Sequence, residues 1–225
     1  MATKSKKPGK AQVVSIVGLG RVGLPLALFL ANKGHKVYGL DIDNHKIETI
    51  KKGKMPFLEE GAPKLLKKYL NISFFPTTDF ASVAKSKVII LTLGTPVDDN
   101  MNPSLIQIDN ALKTIKPFLK PGQLLILRST VSPGTTNYVR LSVNDVDKLK
   151  VGSNFFLAFC PERIAEGKSI DELSQIPQIV GGVDNKSTQK AASLFRRPSR
   201  SLPQRTLAPV ASMAIRAGSA AARRP

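Results

Sequence analysis

Three stretches of the sequence carry residue types that could do chemistry. Residues 18–23 read GLGRVG, which puts Gly18, Gly20 and Gly23 in the spacing GxGxxG, and Asp41 follows 23 residues after Gly18. Residues 160–167 read CPERIAEG and hold the only cysteine, Cys160, with two carboxylates, Glu162 and Glu166, four residues apart. Two hydroxyl-rich turns follow apolar runs: LTLGTP supplies Thr95, and LRSTVS supplies Ser129 and Thr130. The glycine turn suits a phosphate cradle. Gly18 allows a tight turn, Gly20 keeps a Cβ out of the path of a pyrophosphate, and Gly23 lets a helix close on its strand. The helix N-terminus then offers unpaired N–H groups and a positive dipole end, and Pro25 is tolerated in its first turn. Arg21 and Val22, inside the turn, are candidate cofactor contacts. Asp41 can accept from the adenosine ribose hydroxyls, and its charge repels a 2′-phosphate, so NAD is expected over NADP. Lys46 stands close enough in sequence to reach a phosphate or the adenosine, although a lone lysine is more often plain surface. The hydroxyls before proline could equally cap helices. The thiol is either a nucleophile or a neighbour of the two carboxylates.

These residues need strands and helices to hold them. VVSIVG, KVYGLD, KVIILTL, QLLILRS, FFLAF and PQIVGG read as buried strands. Between them lie helical patterns: VGLPLALFLANKG, a stretch marked by Ile47, Ile50, Leu65, Leu66 and Leu70, and one marked by Ile106, Ile108, Leu112, Ile115 and Leu119. The alternation predicts an α/β fold, a Rossmann-type, doubly wound, mostly parallel sheet with helices on both faces. The glycine turn follows the strand VVSIV and opens a helix, and Asp41 ends the next strand. That full context is what makes GxGxxG specific.

The net charge of +18 is concentrated at the ends. Residues 1–10 hold four lysines and no acid, and residues 196–225 hold seven of the eleven arginines and no acid. The remainder between them is only moderately basic. With 6% aromatic residues and no RNA-binding aromatic signature, no nucleic-acid partner is expected. We expect a basic disordered lead over 1–11, an NAD-binding domain over 12–195, and an atypical tail over 196–225. The tail has no lysine and no amphipathic period, so an out-of-frame or foreign ending is expected, with a genuine basic disordered tail as the alternative. No apolar run is long enough to span a bilayer, and one cysteine forms no internal disulfide. A cytoplasmic protein with no membrane partner and no metal site is expected.

The stretches IVGLGRVGLPLALFLANKGHKVYGLDID, LGTPVDDNMNPSL, RSTVSPGTT and CPERIAEG occur in that order between about Val13 and Phe195. In order and spacing they resemble the nucleotide-sugar 6-dehydrogenases, the family of UDP-glucose dehydrogenase and UDP-N-acetylmannosamine dehydrogenase. The arginine of CPERI is more similar to the UDP-N-acetylhexosamine branch than to the UDP-glucose branch. The resemblance implies oxidation of the sugar's primary alcohol to a carboxylate with two NAD, through a thiohemiacetal and a thioester on a cysteine. By motif it implies that Val22, Asp41, Lys46, Thr95, Thr130 and Glu166 contact NAD, and that Arg163 and Ile164 contact a UDP-sugar. Thr130 and Glu162 would hold or activate water, Glu162 as a base if burial raises its pKa. The plainer role for Glu162 is an ion pair with Arg163 or a surface lysine. The family's nucleophile lies in a GxCxPKD-like motif, which is absent from these 225 residues, as are the lysine and asparagine that assist it. Cys160 is therefore expected to be a small buried strand-end residue. The chain is expected to be the N-terminal NAD-binding portion, to bind NAD weakly and to turn over no UDP-sugar alone. Full-length members pair through a region missing here, and an exposed apolar patch is expected in its place. The alternatives are a dehydrogenase of the 3-hydroxyacid or 6-phosphogluconate type, or a non-catalytic nucleotide binder.

Overall fold

The computed structural model describes residues 11–96, 104–164, 167 and 169–195. The basic lead up to residue 10, the arginine-rich tail and Glu166 all carried expectations and lie outside these residues.

A single sheet runs through the described residues. Its strands are β1 (Val13–Val17), β2 (Lys36–Leu40), β3 (Phe74–Thr77), β4 (Val88–Leu91), β5 (Leu124–Leu127), β6 (Phe156–Phe159) and β7 (Gly181–Gly182). Their spatial order is β3-β2-β1-β4-β5-β6-β7. All neighbours pair parallel except the two-residue β7, which is antiparallel to β6. The helices are α1 (Gly23–Asn32), α2 (Asn44–Lys51), α3 (Ala62–Tyr69), α4 (Ile106–Ile115), α5 (Thr135–Asn144), α6 (Ser169–Gln175) and α7 (Asn185–Phe195).

The strands are apolar at nearly every position because both faces are covered. Val88 and Ile90 of β4 face a core built with α1, α2, α3, α6 and α7. Ile89 and Leu91 face a second core built with α4 and α5. Helix α1 is apolar almost all round, and every residue from Gly23 to Ala31 is buried, as suits a helix seated between a sheet and other helices.

The expected fold class is present, and its details differ in instructive ways. Strand β3 was not among the expected strands. Its sequence FFPT carries Pro76, which argues against a central strand, and it lies at the sheet edge, where proline is tolerated. The stretch marked by Ile47 to Leu70 is two helices, split by a loop over residues 52–61. Ile106, assigned to the apolar face of α4, is 66% exposed at its first turn. Helices α5, α6 and α7 were not expected; in α5 and α7 small and polar residues such as Thr135, Thr136, Ser187 and Thr188 are buried, which blurs the apolar period.

The strand order reverses between β1 and β4. The loops after β1, β4, β5 and β6 leave the same edge of the sheet. In an open parallel sheet a ligand crevice forms at that edge, beside the reversal point.

Candidate functional site

The glycine turn sits at the reversal point, and its three glycines do three different things. Gly18 has φ +97°, a left-handed conformation open to glycine, and a Cβ there would stand 2.8 Å from the Thr92 carbonyl oxygen. Gly23 lies so close to the strand that a Cβ would fall 1.8 Å from the Gly18 carbonyl oxygen. A Cβ on Gly20 would meet nothing within 4 Å. The approach to the backbone at Gly20 is therefore open, and α1 starts three residues on with Val22 as its N-cap.

Asp41 is tied into this turn. Its Oδ2 accepts from the Leu19 N–H at 2.8 Å and from Lys46 Nζ at 2.8 Å, and its Oδ1 accepts from the Asp43 N–H at 3.0 Å. The side chain is nearly buried, so these are strong, charge-assisted contacts. Asp43 caps α2 by accepting from the Lys46 N–H at 3.0 Å, and that bond holds its carboxyl below the usual range. Gly18, Gly20, Gly23, Asp41 and Lys46 are thus gathered into one cradle.

A threonine that the sequence reading passed over locks the cradle to β4. Thr92 Oγ1 donates to the Val17 and Gly18 carbonyls, at 3.0 and 2.7 Å. The signal was a hydroxyl directly after the run VIIL. Beyond it, Ser129 Oγ donates to the Leu93 carbonyl, and Thr95 Oγ1 donates to the Thr130 carbonyl at 3.0 Å. Thr95 and Thr130 are both exposed at the crevice edge, and Thr95 bridges to the neighbouring loop instead of capping a helix.

The next loop is organised by Arg128, which sequence reasoning also passed over. This residue closes the apolar run of β5 and is fully buried. Its Nε donates to Glu162 Oε2 at 2.8 Å, and Nη1 donates to the Cys160 carbonyl at 3.1 Å and to Gln178 Oε1 at 2.7 Å. Nη2 lies 2.6 Å from Glu162 Oε2 in an ion pair without hydrogen-bond alignment. The Phe195 ring covers the guanidinium at 5.3 Å. The other oxygen of Glu162, Oε1, accepts from the N–H groups of Arg163 and Ile164, at 2.7 and 3.2 Å. Among the described residues Glu162 pairs with buried Arg128 and not with Arg163 or a surface lysine. Arg163 is exposed, while Ile164 packs against the first core.

Cys160 is fully buried, and burial pushes its thiol up to about 12 against a smaller opposing pull from Arg128. Such a thiol is inert at neutral pH. The Glu162 carboxylate is held by Arg128 at the end of β6, and the Cys160 thiol is buried in the first core beside it.

Two contacts bring the chain back to its start. Glu59 Oε2 accepts from the Gly167 N–H at 3.1 Å, and Arg21 lies over the Phe57 ring, 5.6 Å from its centroid. The loop after α2 thereby joins the end of CPERIAEG to the glycine turn. Among the described residues no group of three His, Cys, Asp or Glu could hold a metal ion, and no helix is long and apolar enough to cross a membrane.

Known proteins are similar to this chain in sequence and in fold. The family model described as UDP-glucose/GDP-mannose dehydrogenase family, NAD binding domain, matches residues 12–198. The UDP-N-acetyl-D-mannosamine dehydrogenase of Methanococcus aeolicus is 33% identical over 198 residues, 87% of this chain and 44% of that protein. The solved UDP-D-ManNAc dehydrogenase from Pyrococcus horikoshii superposes with a TM-score of 0.81 at 29% identity, covering 88% of this chain and 46% of that one. A ternary complex of GDP-mannose dehydrogenase from Pseudomonas aeruginosa gives a TM-score of 0.80 at 29% identity, with 92% and 49% covered. The chain spans less than half the length of these relatives.

Proposed function

The chain belongs to the UDP-glucose/GDP-mannose dehydrogenase family as its NAD-binding part, and on that premise we propose that it serves NAD-dependent oxidation of the primary alcohol of a UDP-sugar to the uronate. A UDP-N-acetylhexosamine, such as UDP-N-acetylmannosamine, is the favoured substrate and UDP-glucose the next. NAD, when held by the glycine turn, Asp41 and Lys46, would supply the hydride acceptor. The chain's own residues bind it and shape the wall beside it.

One observation carries the reading. Above Gly20 the backbone is open for 4 Å, between a Gly18 and a Gly23 that are each closed by packing. A cradle built for close backbone approach suits a pyrophosphate at the N-terminus of α1. Asp41, already holding the turn through Leu19, accepts the Asp43 N–H on Oδ1 and keeps one further acceptor position there for a ribose hydroxyl. Lys46 flanks it. Val22, Thr95, Thr130 and Glu166 complete the proposed NAD contacts, and Arg21 reaches the phosphates. Glu162, fixed by Arg128, orients Arg163 and Ile164 toward the sugar nucleotide and, with Thr130, holds water near the reacting carbon.

The missing thiol motif limits what this chain does alone. Without a thiolate the proposed covalent step has no nucleophile, and Cys160 cannot stand in for it. We expect NAD to bind, NADP to bind at least about tenfold more weakly, and no NADH to form from either UDP-sugar. Calorimetric titration with both dinucleotides and absorbance at the NADH band test this. A folded sample that takes up no NAD would falsify the reading.

A further inference from the structure

The loops at the sheet edge form a closed circuit, and one short segment completes it. The turn after β1 is bonded to the loop after β4 through Thr92. That loop is bonded to the one after β5 through Ser129 and Thr95. The β5 end is bonded to CPERI through the Arg128 carbonyl, which accepts from the Glu162 N–H at 2.8 Å. The return path is residues 57–60. The Gly167 carbonyl accepts from the Glu60 N–H at 3.0 Å, Glu59 accepts from the Gly167 N–H, and Phe57 carries Arg21.

We infer that Phe57 is a positioning residue for the cofactor. Its ring lies against the guanidinium of Arg21, the residue next to Gly20, at 5.6 Å, and Glu59, two residues on, anchors the segment that carries the ring to Gly167. The inference rests on the NAD reading above and adds how the Arg21 side chain is oriented at the proposed pyrophosphate site. Arg21 is an exposed arginine in the middle of the glycine turn, and a long side chain loses rotamer entropy on binding a phosphate. A guanidinium stacked on an aromatic face has already lost part of that freedom, so its phosphate contact costs less to form. Phe57 is suited to this because the segment is anchored at both sides. The ring packs against the first core, and the nearly buried Glu59 is bound to Gly167.

The test is a double-mutant cycle on NAD affinity with Arg21→Gln, Phe57→Leu and the pair. Phe57→Leu keeps the apolar contact with the core but removes the ring. It is expected to weaken NAD about two- to fivefold, and Phe57→Tyr, which retains the ring, to bind as the unaltered chain does. In the Arg21→Gln background Phe57→Leu is expected to cost nothing further, because its effect runs through the arginine. A merely structural phenylalanine would give losses that add, along with a lower thermal midpoint in both backgrounds. Additive losses, or an unchanged affinity in Phe57→Leu alone, overturn the inference while leaving the NAD site standing. Absence of NAD binding by the unaltered chain overturns both.

Discussion

Gly20 and Gly23 belong to one motif, yet substitution separates them. A methyl group on Gly23 runs into the Gly18 carbonyl and the Thr92 hydroxyl, so Gly23→Ala forces α1 away from β1. The expected cost is about 1–3 kcal/mol of stability, read from denaturant unfolding. A methyl group on Gly20 meets only open space, so Gly20→Ala leaves the unfolding midpoint where it was. Its effect falls on the ligand: NAD affinity is expected to drop roughly tenfold or more in calorimetry. If Gly20→Ala binds NAD normally, the open face is not where the pyrophosphate sits. Cys160 makes the opposite point, that a reactive residue type need not be reactive. Buried, with its pKa near 12, it should resist iodoacetamide in the native chain at pH 8 and react fully in denaturant. Rapid labelling of the folded chain would refute its assignment as a passive residue. The glycines and Asp41 were legible in the sequence because each is a backbone demand written as a residue type at fixed spacing. Arg128 and Thr92 were not. Their importance comes from long-range partners such as Glu162, 34 residues away, and Gly18, 74 residues away, which no local pattern encodes.

At the scale of elements, legibility follows burial. Strands β1, β4 and β5 are covered on both faces and read as continuous apolar runs. Edge strand β3 and helices α5 and α7 were obscured by proline or by buried small polar residues. The turn from α1 into β2 is a place where element geometry carries a pH dependence. Gly34 takes φ +88° to leave the helix, and His35 follows it, buried, with Nδ1 accepting from the Gln12 N–H at 3.2 Å. Burial, aided by the Lys33 charge, holds the imidazole pKa below 6.5. The folded state thus binds fewer protons than the unfolded state in the window below that value. The resulting stability is fully present above pH 6.5 and is lost as the pH falls toward the lowered folded pKa. His35→Gln can keep an acceptor for Gln12 and removes the titration. Its thermal midpoint should fall less than that of the unaltered chain between about pH 7.5 and pH 5.5. Equal falls in the two proteins would show that His35 is not the group responsible.

At the scale of the whole molecule, the half of the sheet beyond the reversal point is held by an unusual device, a fully buried arginine. Arg128 touches the loop after β6 through Glu162 and Cys160, the approach to β7 through Gln178, and the end of α7 through Phe195. An apolar residue could fill that volume, and a buried pair is poor evidence for stability in itself, since desolvation offsets most of the attraction. What the pair supplies is geometry. It leaves Glu162 one free-standing task, holding the N–H groups of Arg163 and Ile164 with Oε1, and so it fixes the loop proposed to meet the sugar nucleotide. A positioning role for the pair and a stability role differ in their pattern of costs. Arg128→Met alone leaves a buried carboxylate unpaired and should lose about 3–5 kcal/mol on unfolding. Arg128→Met with Glu162→Gln removes both charges and should recover much of that loss, because the buried ion is gone. In the double variant amide exchange at Arg163 and Ile164 should nonetheless speed up, as their acceptor weakens. A double variant as unstable as Arg128→Met, or one with the same slow exchange at those two amides, would show that the arginine is packing and nothing more.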